Sequence, residues 1–219
     1  MFTGIIEEIG TIRSLCIQGS SGTIAIHAQK VLEGTMVGDS IAVNGICLTV
    51  TSIHPWGFTA DVMAETIRRS ALGHARTGTP VNLERAMAAN GRFGGHLVSG
   101  HIDGTGIIQA FRREENAVWV TLSASPRLLQ LVVEKGSITI DGISLTVAAV
   151  TQSDFQVSLI PHTGAQTTLL QKQIGDPVNL ETDLVGKYVQ KLLGIASATD
   201  TDSHPQSGLT MEYLSTLGY

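Results

Sequence analysis

The feature that most constrains this chain is a seven-residue stretch that occurs twice: Asn44-Gly45-Ile46-Cys47-Leu48-Thr49-Val50 and Asp141-Gly142-Ile143-Ser144-Leu145-Thr146-Val147. The same spacing of 97 residues pairs Phe58 with Phe155, Thr66 with Thr163, and Gly78-Thr79-Pro80-Val81-Asn82-Leu83-Glu84 with Gly175-Asp176-Pro177-Val178-Asn179-Leu180-Glu181. Nearer the start, Gly4, Ile6, Gly10 and Ile12 match Gly100, Ile102, Gly106 and Ile108 at a spacing of 96, so one loop differs by a residue. A period this long exceeds the roughly 20–50 residues of a solenoid unit, and each copy is therefore a small domain with its own core. The copies disagree where Cys47 stands opposite Ser144 and Asn44 opposite Asp141. Unlike groups at equivalent points of one scaffold imply two related pockets with unequal duties.

Charge and composition exclude several classes. With a net charge of −5 and a pI near 5.8, the chain lacks the clustered Lys and Arg that bind phosphate backbones, so nucleic acid is not an expected partner. No apolar run approaches the ~18–20 residues that span a bilayer, and Met1-Phe2-Thr3-Gly4 has neither a basic lead nor a signal-like core. The expectation is a cytoplasmic protein without a membrane partner. Cys16 and Cys47 offer neither a disulfide framework nor a Cys-x-x-Cys metal motif.

Taken in order, β-branched residues from 2 to 17 predict a strand, stopped by Gln18-Gly19-Ser20-Ser21-Gly22. Thr23–His27 alternates as a second strand, Val37–Thr51 holds one or two more around Asn44-Gly45, and Phe58–Met63 makes another. Ala64–Leu72 reads as a short helix stopped by Gly73, and Pro80–Ala86 as the closing strand. Ala89–Gly95 is a linker by composition, and in the second copy Trp119–Leu122 is a strand. The stretch from Ser125 to Gly136 has an N-cap serine, Pro126 at the first helical position and a terminal glycine, which predicts a helix with Lys135 at its C-terminus. Short strands at this spacing suggest a small closed barrel in each copy.

Domain boundaries follow at 1–88, a linker at 89–96, 97–183, a helix at 184–195 and a polar tail at 196–219 whose Leu209–Leu217 could form a last short helix. In the helix, Leu184, Val185, Tyr188, Val189, Leu192 and Leu193 form an apolar stripe. It either packs back on its own domain or joins neighbouring subunits.

Cys47 is either a small buried hydrophobe or a reactive thiol; its exchange for Ser144 favours shared nucleophilic or hydrogen-bonding capacity. His96 and His101 flank a glycine-rich approach, and no third ligand at a recognisable spacing supports a metal. Gly104-Thr105-Gly106 lacks the third glycine and the Lys-Ser/Thr of nucleotide-binding loops.

The opening Met1–Glu7, the Asn-Gly-Ile-Cys-Leu-Thr-Val and Asp-Gly-Ile-Ser-Leu-Thr-Val pair, and Gly94-Gly95-His96-Leu97-Val98-Ser99-Gly100-His101-Ile102 together resemble the riboflavin synthase family, alpha-chain type, from Met1 to about Gly194. Even the closing Leu209–Leu214 is similar to tails in that family. The resemblance implies an all-β chain of two tandem six-stranded antiparallel barrels of Greek-key type, and a C-terminal helix holding a homotrimer. It implies a cofactor-free, metal-free dismutation of two molecules of 6,7-dimethyl-8-ribityllumazine to riboflavin and 5-amino-6-(D-ribitylamino)uracil. The family also allows an association with lumazine synthase.

Carried onto this chain, the family's ligand-contacting stretches fall at Gly4, Ile5 and Ile6, Cys47, Leu48 and Thr49, and Asp61, Val62, Met63, Ala64, Glu65 and Thr66 in the first barrel. In the second they fall at Gly100, His101 and Ile102, Lys135, Ser144, Leu145 and Thr146, and Ser158, Leu159, Ile160, Pro161, His162 and Thr163. His101 with Thr146 or Ser144 is expected to remove the acidic 7-methyl proton, and Cys47, supported by Ser40 and Asp141, to act at the partner ring as nucleophile or proton donor. Phe2 is expected on a ring face, with His96 orienting the pocket. Two positions depart from the family pattern: Gly164 replaces a bulky side chain, and His162 stands where some relatives carry Glu. The competing readings are a non-catalytic lumazine or flavin carrier of the same fold, and a flavin-binding barrel that would need a nicotinamide-binding α/β domain.

Overall fold

The computed structural model describes residues 1–19 and 21–194; the polar tail and the helix expected at 209–217 lie outside the described residues. The first copy contributes strands β1 (Glu8–Gln18), β2 (Ser21–His27), β3 (Ser40–Val43), β4 (Ile46–His54), β5 (Gly57–Met63) and β6 (Pro80–Arg85). The second contributes β7 (Gly104–Glu114), β8 (Ala117–Ser123), β9 (Ser137–Ile140), β10 (Ile143–Val150), β11 (Asp154–Leu159) and β12 (Pro177–Thr182). Each set closes into a six-stranded antiparallel barrel, in the order β1-β2-β5-β4-β3-β6 and its equivalent β7-β8-β11-β10-β9-β12. Closure leaves no edge strand for another chain to extend.

Alternation drives one face of every strand inward. Ile24, Ile26, Ile41, Val43, Leu48, Val50, Phe58 and Leu83 fill the first barrel. Leu122, Ile138, Ile140, Leu145, Val147, Phe155 and Leu180 fill the second. The odd residue of the repeat sits between the second and third strands, where 28–39 is matched by 124–136.

Among the described residues, α1 (Ala64–Arg68), α2 (Pro126–Leu129) and α3 (Pro161–Gln166) interrupt the strands, and α4 (Leu184–Leu192) follows the last. Two are shorter than their sequence suggests. Ser125 caps α2 and Pro126 opens it as expected, but the helix ends after Leu129, because the chain must turn back to reach β9. Lys135 consequently lies beyond any helix terminus, with φ 65. In the first module Ser70, extended at φ −123 and ψ 166, stops α1 before Gly73 and accepts from Leu72 N–H to start a separate 3₁₀ turn at Ala71–His74. Gly73 is there for space: a Cβ would lie 3.0 Å from Ile67 O. Its equivalent is Leu170, whose Cδ1 fills the room left by Gly164, the equivalent of core residue Ile67. The glycine that departs from the family pattern is half of a paired exchange, Ile and Gly for Gly and Leu.

Residues 2–7 do not extend β1. Phe2 forms an isolated bridge with Val98, with Phe2 N–H to Val98 O at 2.8 Å and Val98 N–H to Phe2 O at 3.2 Å. Each module's lead segment then crosses to the opposite barrel: Ser144 N–H donates to Gly4 O at 2.8 Å, and Cys47 N–H to Gly100 O at 2.8 Å. Ile6 packs against the second core and Ile102 against the first.

Between the barrels the two Asn/Asp-Gly turns meet back to back. Asn44 and Gly45 have φ 47 and 79, and Asp141 and Gly142 have 46 and 79, the two positive values of a type I′ hairpin turn. A Cβ on Gly45 would lie 2.8 Å from Gly142 N. Asn82 and Asn179 tie the turns together, since Asn82 Nδ2 donates to Asp141 O at 3.0 Å and Asn179 Nδ2 to Asn44 O at 2.9 Å. Their own N–H groups donate to Asn44 Oδ1 at 2.7 Å and Asp141 Oδ1 at 2.8 Å.

Asn44 and Asp141 therefore have the same structural task. Asp141 is fully buried, and Lys172 Nζ lies 3.1 Å from its Oδ2, where the first module has Ala75. Burial pushes the Asp141 carboxyl up, and Lys172 and the Asn179 N–H pull it back. One module solves the turn as Asn with Ala, the other as Asp with Lys. Lys172→Ala should cost about 3–5 kcal/mol by stranding a buried charge. Adding Asp141→Asn should recover most of that loss, as read by urea denaturation of the two variants.

Candidate functional site

On the outer face of the first barrel, the hairpin places Cys47 two residues past Gly45, half-buried against Phe2, Ala42 and Val98. A cavity of about 200 Å³ opens beside it. Ile46, Cys47, Glu65, Thr66 and Arg69 line it from the first module, and Gly100, His101 and Ile102 from the second. Gly100 permits this closeness because its φ is 82 and a Cβ would lie 2.6 Å from Cys47 Cβ. The Glu65 carboxylate is held by Arg68, Nη2 to Oε2 at 2.7 Å, and by Arg69 Nε; these hydrogen bonds keep its carboxyl below the usual range.

The second module repeats the arrangement with other groups. Gly4, at φ 78, brings its backbone against Ser144, where a Cβ would fall 2.6 Å from Ser144 Cβ. Ser144 Oγ is 2.8 Å from His96 Nδ1. Burial lowers the His96 pKa from the ordinary 6.5, against the upward pull of Asp183 and Glu181. A neutral imidazole can accept the serine proton, and His96 Nε2 is buried without a partner among the described residues.

The lead segments are thus exchanged relative to the sequence expectation. Gly4 and Ile6 lie against the second barrel, Ile5 lines a cavity with Glu7, Ser40 and Glu84 of its own module, and Gly100, His101 and Ile102 line the Cys47 cavity of the first, because the Phe2–Val98 crossing lies ahead of both segments. Among the described residues the histidine bonded to Ser144 is His96, while His101 lines the Cys47 cavity. Strand alternation corrects other assignments: Leu48 and Val62 point into the first core, and Leu145 and Leu159 into the second. Ala64 is 3% exposed, and Phe2, at 0%, is sealed in the junction and presents no ring face to a ligand. Asp141, equally sealed, serves the turn and not the site. Thr49, Asp61, Met63 and Thr146 face outward and exposed, with Ser40, Thr66, Ser158 and Thr163 half-buried. Ile160, Pro161 and His162 are exposed at the start of α3.

Lys135 stands out on its backbone. Its N–H donates to Val147 O at 2.8 Å, the bond that Gly38, at φ 99, makes to Val50 O at 2.8 Å. A lysine in a glycine conformation carries strain of about 1–3 kcal/mol, the kind of cost retained at functional positions. Arg69 escaped the sequence reading; the signal for it was its place four residues after Glu65 on a helical turn.

A duplicated six-stranded barrel with a cavity at one crossing and the Ser144–His96 pair at the equivalent place on the other defines a two-module protein with room for a small molecule, and comparisons narrow the class. The "Lumazine binding domain" family profile matches residues 3–86 and 99–183. "Riboflavin synthase" of Actinobacillus pleuropneumoniae is 52% identical over 219 residues, covering 100% of both chains. "Riboflavin synthase" of Bacillus subtilis (strain 168) is 49% identical over 219 residues, again covering 100% of each. Among solved structures, LumP complexed with 6,7-dimethyl-8-(1'-D-ribityl) lumazine matches with a TM-score of 0.75 at 24% identity, over 83% of this chain and 99% of that one, which speaks for the fold alone. The chain belongs to the riboflavin synthase family of tandem lumazine-binding domains.

His96 makes stability depend on pH with a definite sign. Its folded pKa lies below the ordinary 6.5, so as pH falls below 6.5 the unfolded chain takes up a proton that the folded chain resists. Stability should fall with pH in that window, and His96→Gln should flatten the slope in denaturation curves compared with the wild type.

Proposed function

We propose that this chain is a riboflavin synthase: it transfers a four-carbon unit from one 6,7-dimethyl-8-ribityllumazine to a second, releasing riboflavin and 5-amino-6-(D-ribitylamino)uracil. The observation that carries the reading is a pair of equivalent crossings with unlike chemistry, the Cys47 cavity on one and the Ser144–His96 pair on the other, in a chain 52% identical end to end to a riboflavin synthase. Two like molecules with unlike fates need such a pair. Holding both rings in register replaces an improbable collision by an oriented one, which can supply much of the barrier reduction.

In this reading one lumazine lies against the first barrel, beside Cys47, Thr49, Glu65, Thr66 and His101. The other lies against the second barrel, beside Gly4, Ile6, Lys135, Ser144, Thr146 and Thr163. The reactive pair forms where the first barrel of one subunit faces the second barrel of another, so His101 of one copy meets the Ser144 and Thr146 face of its neighbour. There a positioned base removes the 7-methyl proton, a role typically worth about 10²–10⁴-fold. Cys47, with Ser40 nearby on the paired strand, acts at the partner ring as nucleophile or proton donor. The chain works as a cytoplasmic homotrimer without a cofactor or metal; an association with lumazine synthase belongs to the same reading and rests on the family resemblance.

The trimer reading is supported by α4. Val185, Tyr188, Val189 and Leu192 form one stripe, and each is at least 49% exposed, with Leu192 at 84%. No described helix is long and apolar enough to cross a membrane, so membrane insertion does not explain that stripe. Leu192→Glu should shift the sedimentation coefficient toward the monomer and lower turnover with it, because the reactive pocket needs two copies.

Incubation with 6,7-dimethyl-8-ribityllumazine alone should consume two lumazines for each riboflavin formed. Tight binding with no turnover would instead indicate the carrier. Cys47→Ser should lower turnover by about 10²-fold or more, within the range of acid–base and nucleophilic contributions; full activity in that variant would remove Cys47 from the chemistry.

A further inference from the structure

The lead segments form no continuous ladder: besides the Phe2–Val98 bridge they are held to strands by single backbone bonds, such as Ser144 N–H to Gly4 O and Cys47 N–H to Gly100 O. The side-chain hold on them comes from a pair of carboxylates at equivalent places on the last strand of each barrel. Glu181 on β12 accepts from Ser99 N–H at 2.7 Å and Ser99 Oγ at 2.7 Å on one oxygen, and from Gly100 N–H at 3.0 Å on the other. Glu84 on β6 accepts from Thr3 N–H at 2.7 Å and Thr3 Oγ1 at 2.8 Å on one oxygen, and from Gly4 N–H at 2.9 Å on the other. Six hydrogen bonds superimpose under the repeat, donor for donor.

The placement is costly. Glu84 is 5% exposed and Glu181 is 1% exposed, where a carboxylate is expensive unless its oxygens are satisfied. Burial raises the Glu84 pKa, and the Thr3 and Gly4 donors oppose that rise. A role confined to filling the barrel wall would be met by Gln or Leu. Three converging donors on two oxygens demand an acceptor-only group, since an amide would turn its NH₂ toward a backbone N–H.

We propose that Glu181 and Glu84 are positioning residues for the two pockets, each acting on the barrel it does not belong to. Glu181 sits in the second barrel but clamps Ser99-Gly100, and so sets His101 and Ile102 over the Cys47 cavity of the first. Glu84 sits in the first barrel but clamps Thr3-Gly4, and so sets Gly4 against Ser144 and Ile6 against the core of the second. Loosening one clamp degrades the pocket on the far side of the junction and spares the near one. This rests on the two-pocket reading above, and it extends that reading to residues that need never touch the ligand.

The test uses full-length Glu181→Gln and Glu84→Gln, with riboflavin as a non-reacting probe titrated by fluorescence and the His101 ring protons followed by NMR. In Glu181→Gln the His101 resonances should shift, and affinity at one of the two sites per chain should fall about 10- to 100-fold, the scale of a misplacement near 1 Å. In Glu84→Gln the His101 resonances should stay in place while the other site weakens. Ser99→Ala and Thr3→Ala, which each remove one hydroxyl from a clamp and leave its charge intact, should reproduce the same split at smaller size and serve if a glutamine variant fails to fold. Identical effects of the two clamps on His101, or loss of the same site in both, would overturn the proposal. Absence of riboflavin and lumazine binding in the wild type would overturn the two-pocket reading while leaving the His101 comparison to decide the clamp.

Discussion

The structure depends on the contact of two hairpin turns across the barrel junction. Gly45 and Gly142 approach so closely that neither tolerates a Cβ, and the Asn82 and Asn179 amides stitch each turn to the other module. Buried backbone groups must be paired, and here the pairing reaches across the junction, so neither barrel can satisfy its own turn alone. Cys47 and Ser144 lie two residues beyond those glycines. The lock that joins the barrels therefore also fixes the two side chains at which they differ most in reactivity.

Duplication makes every difference between the halves informative, and the differences fall into two kinds. Some are compensated within their own module: Asp141 with Lys172 replaces Asn44 with Ala75, and Gly164 with Leu170 replaces Ile67 with Gly73. Net charge is conserved across the first exchange and side-chain volume across the second, which is what a packed interior requires. Others have no local compensation. Cys47, Glu65 and Arg69 line the cavity of the first module where the second has Ser144, His162 and Gln166, and Gly38 gives way to Lys135. Lys135 even keeps a backbone conformation that favours glycine. Uncompensated asymmetry concentrated at two pockets is the physical trace of division of labour.

Much of this was legible in the sequence because it is local. The Asn44-Gly45 and Asp141-Gly142 hairpins, the alternating strands and the Ser125-Pro126 helix start are set by a few neighbouring residues, and the all-β duplicated fold follows from them. Helix ends were less legible: Gly136 and Gly73 read as stops, but one follows a turn the chain needs to reach β9, and the other makes room for Ile67. Side chains on the strands that the family resemblance marks for ligand contact divide by period two, so Leu48, Val62, Leu145 and Leu159 go to the core while Thr49, Asp61, Thr146 and Ser158 face out. The crossing of the lead segments was the least legible feature. Gly4 and Gly100 sit 96 residues apart in perfect register, and nothing in a repeat says whether a unit's first residues stay on their own barrel or exchange.

That exchange gives the duplication its chemical purpose. Were Ser99–Ile102 to remain on the second barrel, the Cys47 cavity would lose His101 and Ile102, and each barrel would carry a half-walled groove open to water. With the segments crossed, the Cys47 cavity is walled by both modules, and the turn-to-turn contact holds those walls in place. In the proposed reaction the junction therefore orients the ring held on each chain, and the register between the two reacting rings comes from the meeting of two copies. Part of the entropic cost of alignment is met when the chain folds, and the rest when the copies assemble.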